Sequence, residues 1–261
     1  MAKIHQTAIV DTGAEIDEDV EIGAFCIIEK GAKIGAGTKL YNNVTVFSGA
    51  EIGKNNEIFP NVVIAALPQD LKFIKTERDE FTRVIIGDNN IIRECVTVNR
   101  GTLHSKQTLI GSDCLLMAYS HVAHDCVLGN NIILANSVAL GGHVRVDDFA
   151  IIGGLAGIHQ FVKIGAHCMV GAATMVVKDI PPYTLFASQD LKFCGLNVIG
   201  LRRRGFPAET IETLKKAYNF IYKSGLNTSQ ALEKIKTELP LIPEINYVLE
   251  FIEKSERGLS K

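Results

Sequence analysis

The residues with the clearest chemical promise are histidines. Five of the seven lie between residues 121 and 167. His124, Gly142 and Gln160 follow one another at intervals of eighteen residues, with His143 one position past that line, His159 one before it, and His121 three before His124. Any architecture with an eighteen-residue turn stacks them on one edge. Imidazole titrates near neutral pH, so such an edge suits a general base flanked by groups that bind an anionic or polyhydroxyl substrate. Adjacency permits Asp125 to orient the His124 ring, fix its tautomer and raise its basicity. A single histidine in such a place reads most simply as solvated surface; the clustering is what points to chemistry. A second concentration of charge, Arg202-Arg203-Arg204, suits phosphates or an acidic carrier protein.

An eighteen-residue turn is what the rest of the chain encodes. Ile4, Val10, Ile16, Ile22, Ile28, Ile34, Leu40, Val46, Ile52, Ile58 and Ile64 recur every six residues. A second series runs from Ile86 through Ile92, Val98, Ile110, Leu116, Val122, Leu128 and Leu134 to Val176, broken only at His104. The fourth residue after each early slot is small or β-branched, as at Ala8, Val20, Cys26, Ala32, Thr38 and Ala50. Each hexapeptide thus turns one large and one smaller side chain inward. Three of them make one turn of a triangular parallel β-helix, with coils roughly 4.8 Å apart. Gly23, Gly35, Gly53, Gly129 and the pairs Asn42-Asn43, Asn55-Asn56, Asn89-Asn90 and Asn130-Asn131 read as corners that need positive φ.

The predicted β-helix covers residues 1–181. It is interrupted by an excursion at about 66–82, where the phase is lost, and a smaller one at 101–107, where it is kept. Uninterrupted coils need no loops, so these two excursions are candidates for function. Residues 182–206 read as a connecting segment and 207–261 as a helical domain. Helices are expected over 207–224, 228–239 and 243–257, from Pro at helix starts, apolar stripes and Gly225 and Gly258 as stops. They would cap the open end of the prism.

Composition excludes several classes. With 47% hydrophobic residues the chain can bury a core. Its 27 Lys+Arg balance 29 Asp+Glu, which argues against a nucleic-acid partner held by bulk charge. No apolar run approaches 18 residues and Met1-Ala2-Lys3-Ile4-His5 begins no signal peptide, so stable membrane insertion is not expected and a cytoplasmic location is. The six cysteines include no C-x-x-C pair and read as small buried thiols in a reducing compartment.

Longer motifs carry a family resemblance: Gln69-Asp70-Leu71-Lys72, Ile91-Ile92-Arg93-Glu94, His121-Val122-Ala123-His124-Asp125-Cys126, Gly141-Gly142-His143-Val144, Ile158-His159-Gln160-Phe161 and Gly200-Leu201-Arg202-Arg203-Arg204-Gly205-Phe206. Along its whole length the sequence resembles the UDP-N-acetylglucosamine O-acyltransferases, hexapeptide-repeat enzymes of lipid A biosynthesis. The resemblance implies a left-handed coil and a homotrimer with sites between adjacent prisms. The acyl donor it implies is an (R)-3-hydroxyacyl group on the phosphopantetheine of acyl carrier protein, and the acceptor is the glucosamine 3-hydroxyl of the UDP-sugar. No metal or other cofactor is implied.

In that family's pattern His124 is the general base, Asp125 its orienting carboxylate and the Gly142 N–H the oxyanion donor. Asp70 and Lys72 contact the sugar, and His121, His143, His159 and Gln160 line the sugar and diphosphate region. Asn197, Arg203 and Arg204 serve the nucleotide and phosphate end, in the implied trimer from either subunit. Three positions depart from the better-known members: Ile199 stands in place of Glu, Asn99 of a common His, and Ala172 of a Gly that lets the acyl chain extend. The Ala172 methyl is expected to shorten the accepted chain.

Two alternatives keep the same fold. One acylates a 3-amino sugar nucleotide, since His124 suits either nucleophile. The other is a zinc hydratase, because hexapeptide-repeat carbonic anhydrases hold zinc with three histidines across a subunit interface, and His124, His143 and His159 resemble such a set. Their spread over three coils, with only Asp125 and Asp147 as outer carboxylates, places zinc second. A passive β-helix scaffold would need neither the histidine edge nor the excursions.

Overall fold

The computed structural model describes residues 1–78, 81–187 and 190–260; residues 79 and 80 of the first excursion, 188 and 189, and 261 of the expected helical segment lie outside the described residues. The chain begins as a left-handed parallel β-helix of triangular section. Two-residue strands such as His121–Val122, Val127–Leu128 and Ile133–Leu134 succeed one another around the three faces. Each pairs in parallel with the strand eighteen residues on: His121 with Ala139, Val127 with Arg145, Ile133 with Ile151. Among the described residues the first face, which holds Ile133–Leu134, has eleven strands. The second, which holds His121–Val122, has nine, and the third, which holds Val127–Leu128, has eight.

The hexapeptide beat is the inward ladder. Ile28, Ile58, Ile92, Leu116, Val122, Leu134 and Ile152 are buried, and so are the smaller Cys26, Ala32, Val44, Cys126 and Ala150 between them. Each buried aliphatic side chain contributes about 1.5–3 kcal/mol relative to exposure, and the ladder runs through nearly every coil.

The corners differ from their sequence reading. Positive φ falls at one position per corner, often on large residues: Phe25, Asn43, Asn55, Asn89, Asp125, Asn131, His143 and Phe161 all lie between 55° and 65°. Gly23, Gly35, Gly53 and Gly129 do not adopt it. They mark close approach instead: a Cβ on Gly35 would stand 2.7 Å from the carbonyl carbon and oxygen of Gly53 in the next coil.

The two excursions are insertions into single coils. Glu51 pairs with Ile85, so residues 67–82 are sixteen extra residues between the strands Val63–Ala66 and Arg83–Ile86. A single π-helical turn, Phe73–Glu77, forms there and buries Phe73. Ile85 pairs with Leu109, so the coil ending in Gln107–Ile110 carries six extra residues. His104 breaks the beat because it sits in that loop, off the prism.

Residues 182–206 are more structured than a connector. Thr184–Ala187 adds to the last coil, Met169 pairing with Leu185, and then turns antiparallel against Lys192–Leu196. Four helices follow: α1 (Val198–Arg203), α2 (Ala208–Tyr222), α3 (Thr228–Glu238) and α4 (Pro243–Glu253). Asn227 and Gln230 form a reciprocal capping box at α3. Leu201, Leu214, Tyr218, Ile235, Val248 and Ile252 build a second core. Four cysteines are buried thiols as expected, with Cys126 and Cys168 each pushed up to about 12 by burial; Cys95 is half-buried and Cys194 exposed, against the expectation.

Candidate active site

His124, Gly142 and Gln160 occupy the corner between the second and third faces on three successive coils, as the eighteen-residue spacing requires. The next residue at each corner, Asp125, His143 and Phe161, takes the positive-φ position. The corner therefore sets His124, Gly142 and Gln160 one above another, each followed by a residue in the left-handed region.

Asp125 is the anchor. Its side chain is fully buried, and Oδ2 accepts the His124 Nδ1–H at 2.7 Å. The six-residue loop supplies the other donors. The Thr102 hydroxyl donates to Oδ2 at 2.8 Å, the Thr102 N–H is shared between both oxygens at 3.1 and 3.2 Å, the Ser105 N–H donates to Oδ1 at 3.2 Å, and the Ser105 hydroxyl makes a short bond to Oδ1. Burial opposes ionisation, but the bonds from His124, Ser105 and Thr102 outweigh it and hold the carboxyl well below the usual carboxylate range. An ionised carboxylate only accepts, so Nδ1 of His124 carries the proton and Nε2 presents its lone pair. Among the described residues Nε2 has no hydrogen-bond partner.

The ring lies flat against Gly142: a Cβ there would stand 2.5 Å from Cε1 and 2.7 Å from Nε2 of His124. The Gly142 N–H finds no acceptor among the described residues, while its carbonyl accepts from Phe161 N. His143 stacks on Phe161 with ring centres 4.3 Å apart, meets the His124 ring edge-on at 5.2 Å, and holds Nε2 at 3.7 Å from Asp125. Burial pushes its basicity down, a shift that the Asp125 charge opposes and the neighbouring His124 adds to.

His124, His143 and Thr102 line a cavity of ≈ 410 Å³ together with Asp70, Lys72, Glu77, Leu103 and His104. Asp70 caps the start of the first excursion by accepting from Phe73 N at 2.7 Å, and Lys72 pairs with Glu77 at 2.8 Å. Both excursions thus converge on one edge. Asn99 Nδ2 donates to the carbonyl of Leu67 at 3.0 Å, tying down the base of the first.

The remaining predicted residues are spread more widely. His121 stands on the second face, Nδ1 at 2.7 Å from the Thr97 hydroxyl, and burial lowers its basicity. His159 and Gln160 are exposed one coil on, His159 Nδ1 donating to the Gln160 carbonyl. Asn197, Arg203 and Arg204 lie away from the cavity. Asn197 caps α1 and donates to the carbonyl of His167, and Arg204 donates to that of Phe149 and lies over its ring, on the corner between the third and first faces. Arg203 is exposed on α1. Ala172 is exposed on the remaining corner, between the first and second faces. A single chain therefore assembles the His124 cluster and leaves Asn197, Arg203, Arg204 and Ala172 elsewhere.

Sequence reading missed Thr102, His104, Ser105 and Glu77. His104 meets His143 edge-on with ring centres 4.9 Å apart. Its one signal was that it alone broke the aliphatic beat.

Donor atoms of His124, Asp125 and His143 lie within 4.8 Å of one another. The zinc set imagined from sequence included His159, which is not part of this group. The Asp125 oxygens are already filled by His124, Thr102 and Ser105, so the donor set suits a proton relay better than a cation.

The family profile described as "Udp N-acetylglucosamine O-acyltransferase; Domain 2" matches residues 179–260, and "Bacterial transferase hexapeptide (six repeats)" matches 13–48 and 107–142. A protein of Aquifex aeolicus named acyl-[acyl-carrier-protein]–UDP-N-acetylglucosamine O-acyltransferase is 57% identical over 99% of this chain and 98% of its own. One of Paraburkholderia phymatum with the same name is 44% identical over 99% of both. The crystal structure of LpxA, a UDP-N-acetylglucosamine acyltransferase from Bacteroides fragilis, superposes with a TM-score of 0.96 at 44% identity, covering 99% of this chain and 100% of that one. This chain belongs to the UDP-N-acetylglucosamine O-acyltransferase family. The likeness extends to the Arabidopsis UDP-N-acetylglucosamine acyltransferase, at a TM-score of 0.86 and 32% identity over 99% of this chain and 100% of that one. Among the described residues of this family member no helix is long and apolar enough to cross a membrane.

Proposed function

We propose that this chain transfers an (R)-3-hydroxyacyl group from the phosphopantetheine of acyl carrier protein to the glucosamine 3-hydroxyl of UDP-N-acetylglucosamine, the first step of lipid A biosynthesis, without metal or other cofactor. The observation that carries this reading is the proton arrangement at His124: Nδ1–H held by a buried carboxylate at 2.7 Å, Nε2 free at the cavity. Nε2 takes the proton of the 3-hydroxyl as its oxygen attacks the thioester carbonyl. Negative charge on the tetrahedral oxygen is met by the unpaired Gly142 N–H. The C–S bond then breaks and the imidazolium returns the proton to the leaving thiolate. The thioester is already activated, so direct attack needs no enzyme-bound intermediate.

Asp70 and Lys72, at the cavity mouth, hold the sugar, and His121, His143, His159 and Gln160 line the sugar and diphosphate path. Asn197, Arg203 and Arg204 bind the nucleotide and phosphate end as a neighbouring subunit's contribution in a homotrimer. Support for that assembly comes from the edge between the first and second faces. Phe25, Tyr119 and Leu155 stand there 63%, 66% and 69% exposed, separate apolar side chains on one edge that contact between copies would cover. Ala172 shares that edge, where its methyl would limit the acyl chain. The cytoplasm, where acyl carrier protein and the UDP-sugar meet, is the proposed location.

The test is acyl transfer to UDP-N-acetylglucosamine from a panel of 3-hydroxyacyl carrier proteins, in chelator, for wild type and His124→Ala. Turnover that survives chelation and collapses in the variant supports the metal-free base; the panel reads out chain length, and Ala172→Gly should shift it longer. Wild-type activity only toward the 3-amino sugar nucleotide would replace the acceptor. A solution mass other than three times 28.4 kDa would remove the trimer.

A further inference from the structure

The six residues inserted into the coil before Gln107–Ile110 have a common target. Among the described residues, the groups that donate to the Asp125 carboxylate all come from this loop apart from His124, and both Thr102 and Ser105 offer backbone N–H and hydroxyl together. We propose that the loop of residues 101–106 is a carboxylate-holding cup. In it Ser105 and Thr102 are positioning residues that set the orientation and charge of Asp125 and, through it, the basicity of His124. This rests on the reading of His124 as the general base.

Three features shape the cup. A Cβ on Gly101 would stand 2.7 Å from Cα of Gln107 and collide with its N–H, so the neck closes only with glycine. The Thr102 hydroxyl, while donating to Asp125, accepts from His104 N at 3.3 Å, which sets the loop's curvature. The Ser105 hydroxyl has one proton and two acceptors, Asp125 Oδ1 and the Gln107 carbonyl at 2.8 Å; the charged oxygen is the stronger competitor. From the prism side, Asp125 N donates to the Thr108 hydroxyl at 2.9 Å. The carboxylate therefore cannot rotate, and it remains an anion hydrogen-bonded to the His124 imidazole, with that of His143 farther off at 3.7 Å.

Neutral donors also moderate that anion. Each one disperses part of the charge that would otherwise stabilise the imidazolium. A base that must return its proton to the leaving thiolate in the same turnover should not bind it too tightly. Removing the Ser105 hydroxyl concentrates charge on the His124 bond, raises the basicity of His124 and loosens the carboxylate. The other titratable groups around His124 are His121, His143, His104, Asp70, Lys72 and Glu77, and these substitutions leave all of them in place.

The experiment compares wild type, Ser105→Ala, Ser105→Thr and Thr102→Val by two readouts. One is the pH dependence of acyl transfer; the other is titration of His124 by NMR in full-length protein labelled at histidine ¹³Cε1, with exposed His159 as internal control. Ser105→Ala is expected to move the His124 titration and the acid limb of kcat/KM up by about half a pH unit. It should lower kcat about tenfold with KM for the UDP-sugar changed less than about twofold. Ser105→Thr, which keeps the hydroxyl, should restore both, and Thr102→Val should repeat the shift. A His124 titration unmoved in Ser105→Ala and Thr102→Val, or a threonine variant as impaired as the alanine one, overturns the cup. The NMR readout needs no turnover, so a shift in a protein that transfers no acyl group would sink the proposed reaction and leave the cup standing.

Discussion

Gly142 is the residue against which the His124 ring closes. A methyl at that position would overlap the His124 ring, so Gly142→Ala should push the imidazole off its line with Asp125. We expect kcat to fall about a hundredfold or more while thermal stability falls much less, since φ is not positive and the nearest atoms the methyl meets all belong to the His124 side chain, which can swing into the cavity; turnover and melting temperature, measured together, check this. Acid stability can be read at single residues too. His167 is pressed between Phe149 and Tyr183, and burial, with Arg204 adding to it, lowers its pKa to about 4. The unfolded chain binds that proton near pH 6.5, so folding loses stability as pH falls from about 6.5 to about 4 and no further below. His167→Gln should melt with a weaker pH dependence across that window than wild type. His124, Asp125, Gly142 and His143 were legible because stacking at eighteen residues is a property of the repeat. Thr102 and Ser105 were not, because a carboxylate's hydrogen-bond donors have no required spacing and hydroxyl residues are common in loops.

At the scale of elements, repeat, cap and the places of the two insertions were readable, while the internal structure of the insertions was not. A hexapeptide needs the same two inward side chains in every coil, which writes itself into sequence as Ile, Val and Leu at fixed intervals. An excursion has no such rule. Its chain leaves and rejoins wherever the register permits, so the sixteen-residue insertion appeared only as a lost phase and its π-helical turn not at all. The antiparallel strand Lys192–Leu196 was missed for a related reason: a short run beside a prism gains its partner from tertiary contact, not from alternation. The neck of the smaller loop makes the sharpest element-scale prediction. Gly101→Ala must spread the loop from Gln107, pulling Thr102 and Ser105 off Asp125 together. We expect an activity loss at least as large as that of the double variant Thr102→Val/Ser105→Ala, which a parallel comparison of kcat would show.

For the molecule as a whole, the helical segment matters as a lid on the stack. Tyr247 of α4 donates to Asp147 Oδ2 at 2.6 Å and accepts from Ala166 N at 3.0 Å, and the fully buried Asp179 accepts from Lys163 N and Ser255 Oγ. Tyr247→Phe leaves Asp147 and Ala166 without that partner and should cost about 1–3 kcal/mol in unfolding free energy, measurable by denaturant titration. Among the described residues the opposite end has no such cover: Ile4, an inward ladder position of the first coil, is 49% exposed, whereas the ladder residues of later coils are buried. Strands only two residues long hold on solely through the coils above and below, so a stack closed at one end and bare at the other comes apart like a zipper with one free end. Protection of backbone amides against solvent deuterium should therefore climb from the first coil toward the last. The hydrogen-bonded amides of the coils around His124, well inside the stack, would exchange more slowly than those of the first coil, leaving that edge still while the far tip breathes.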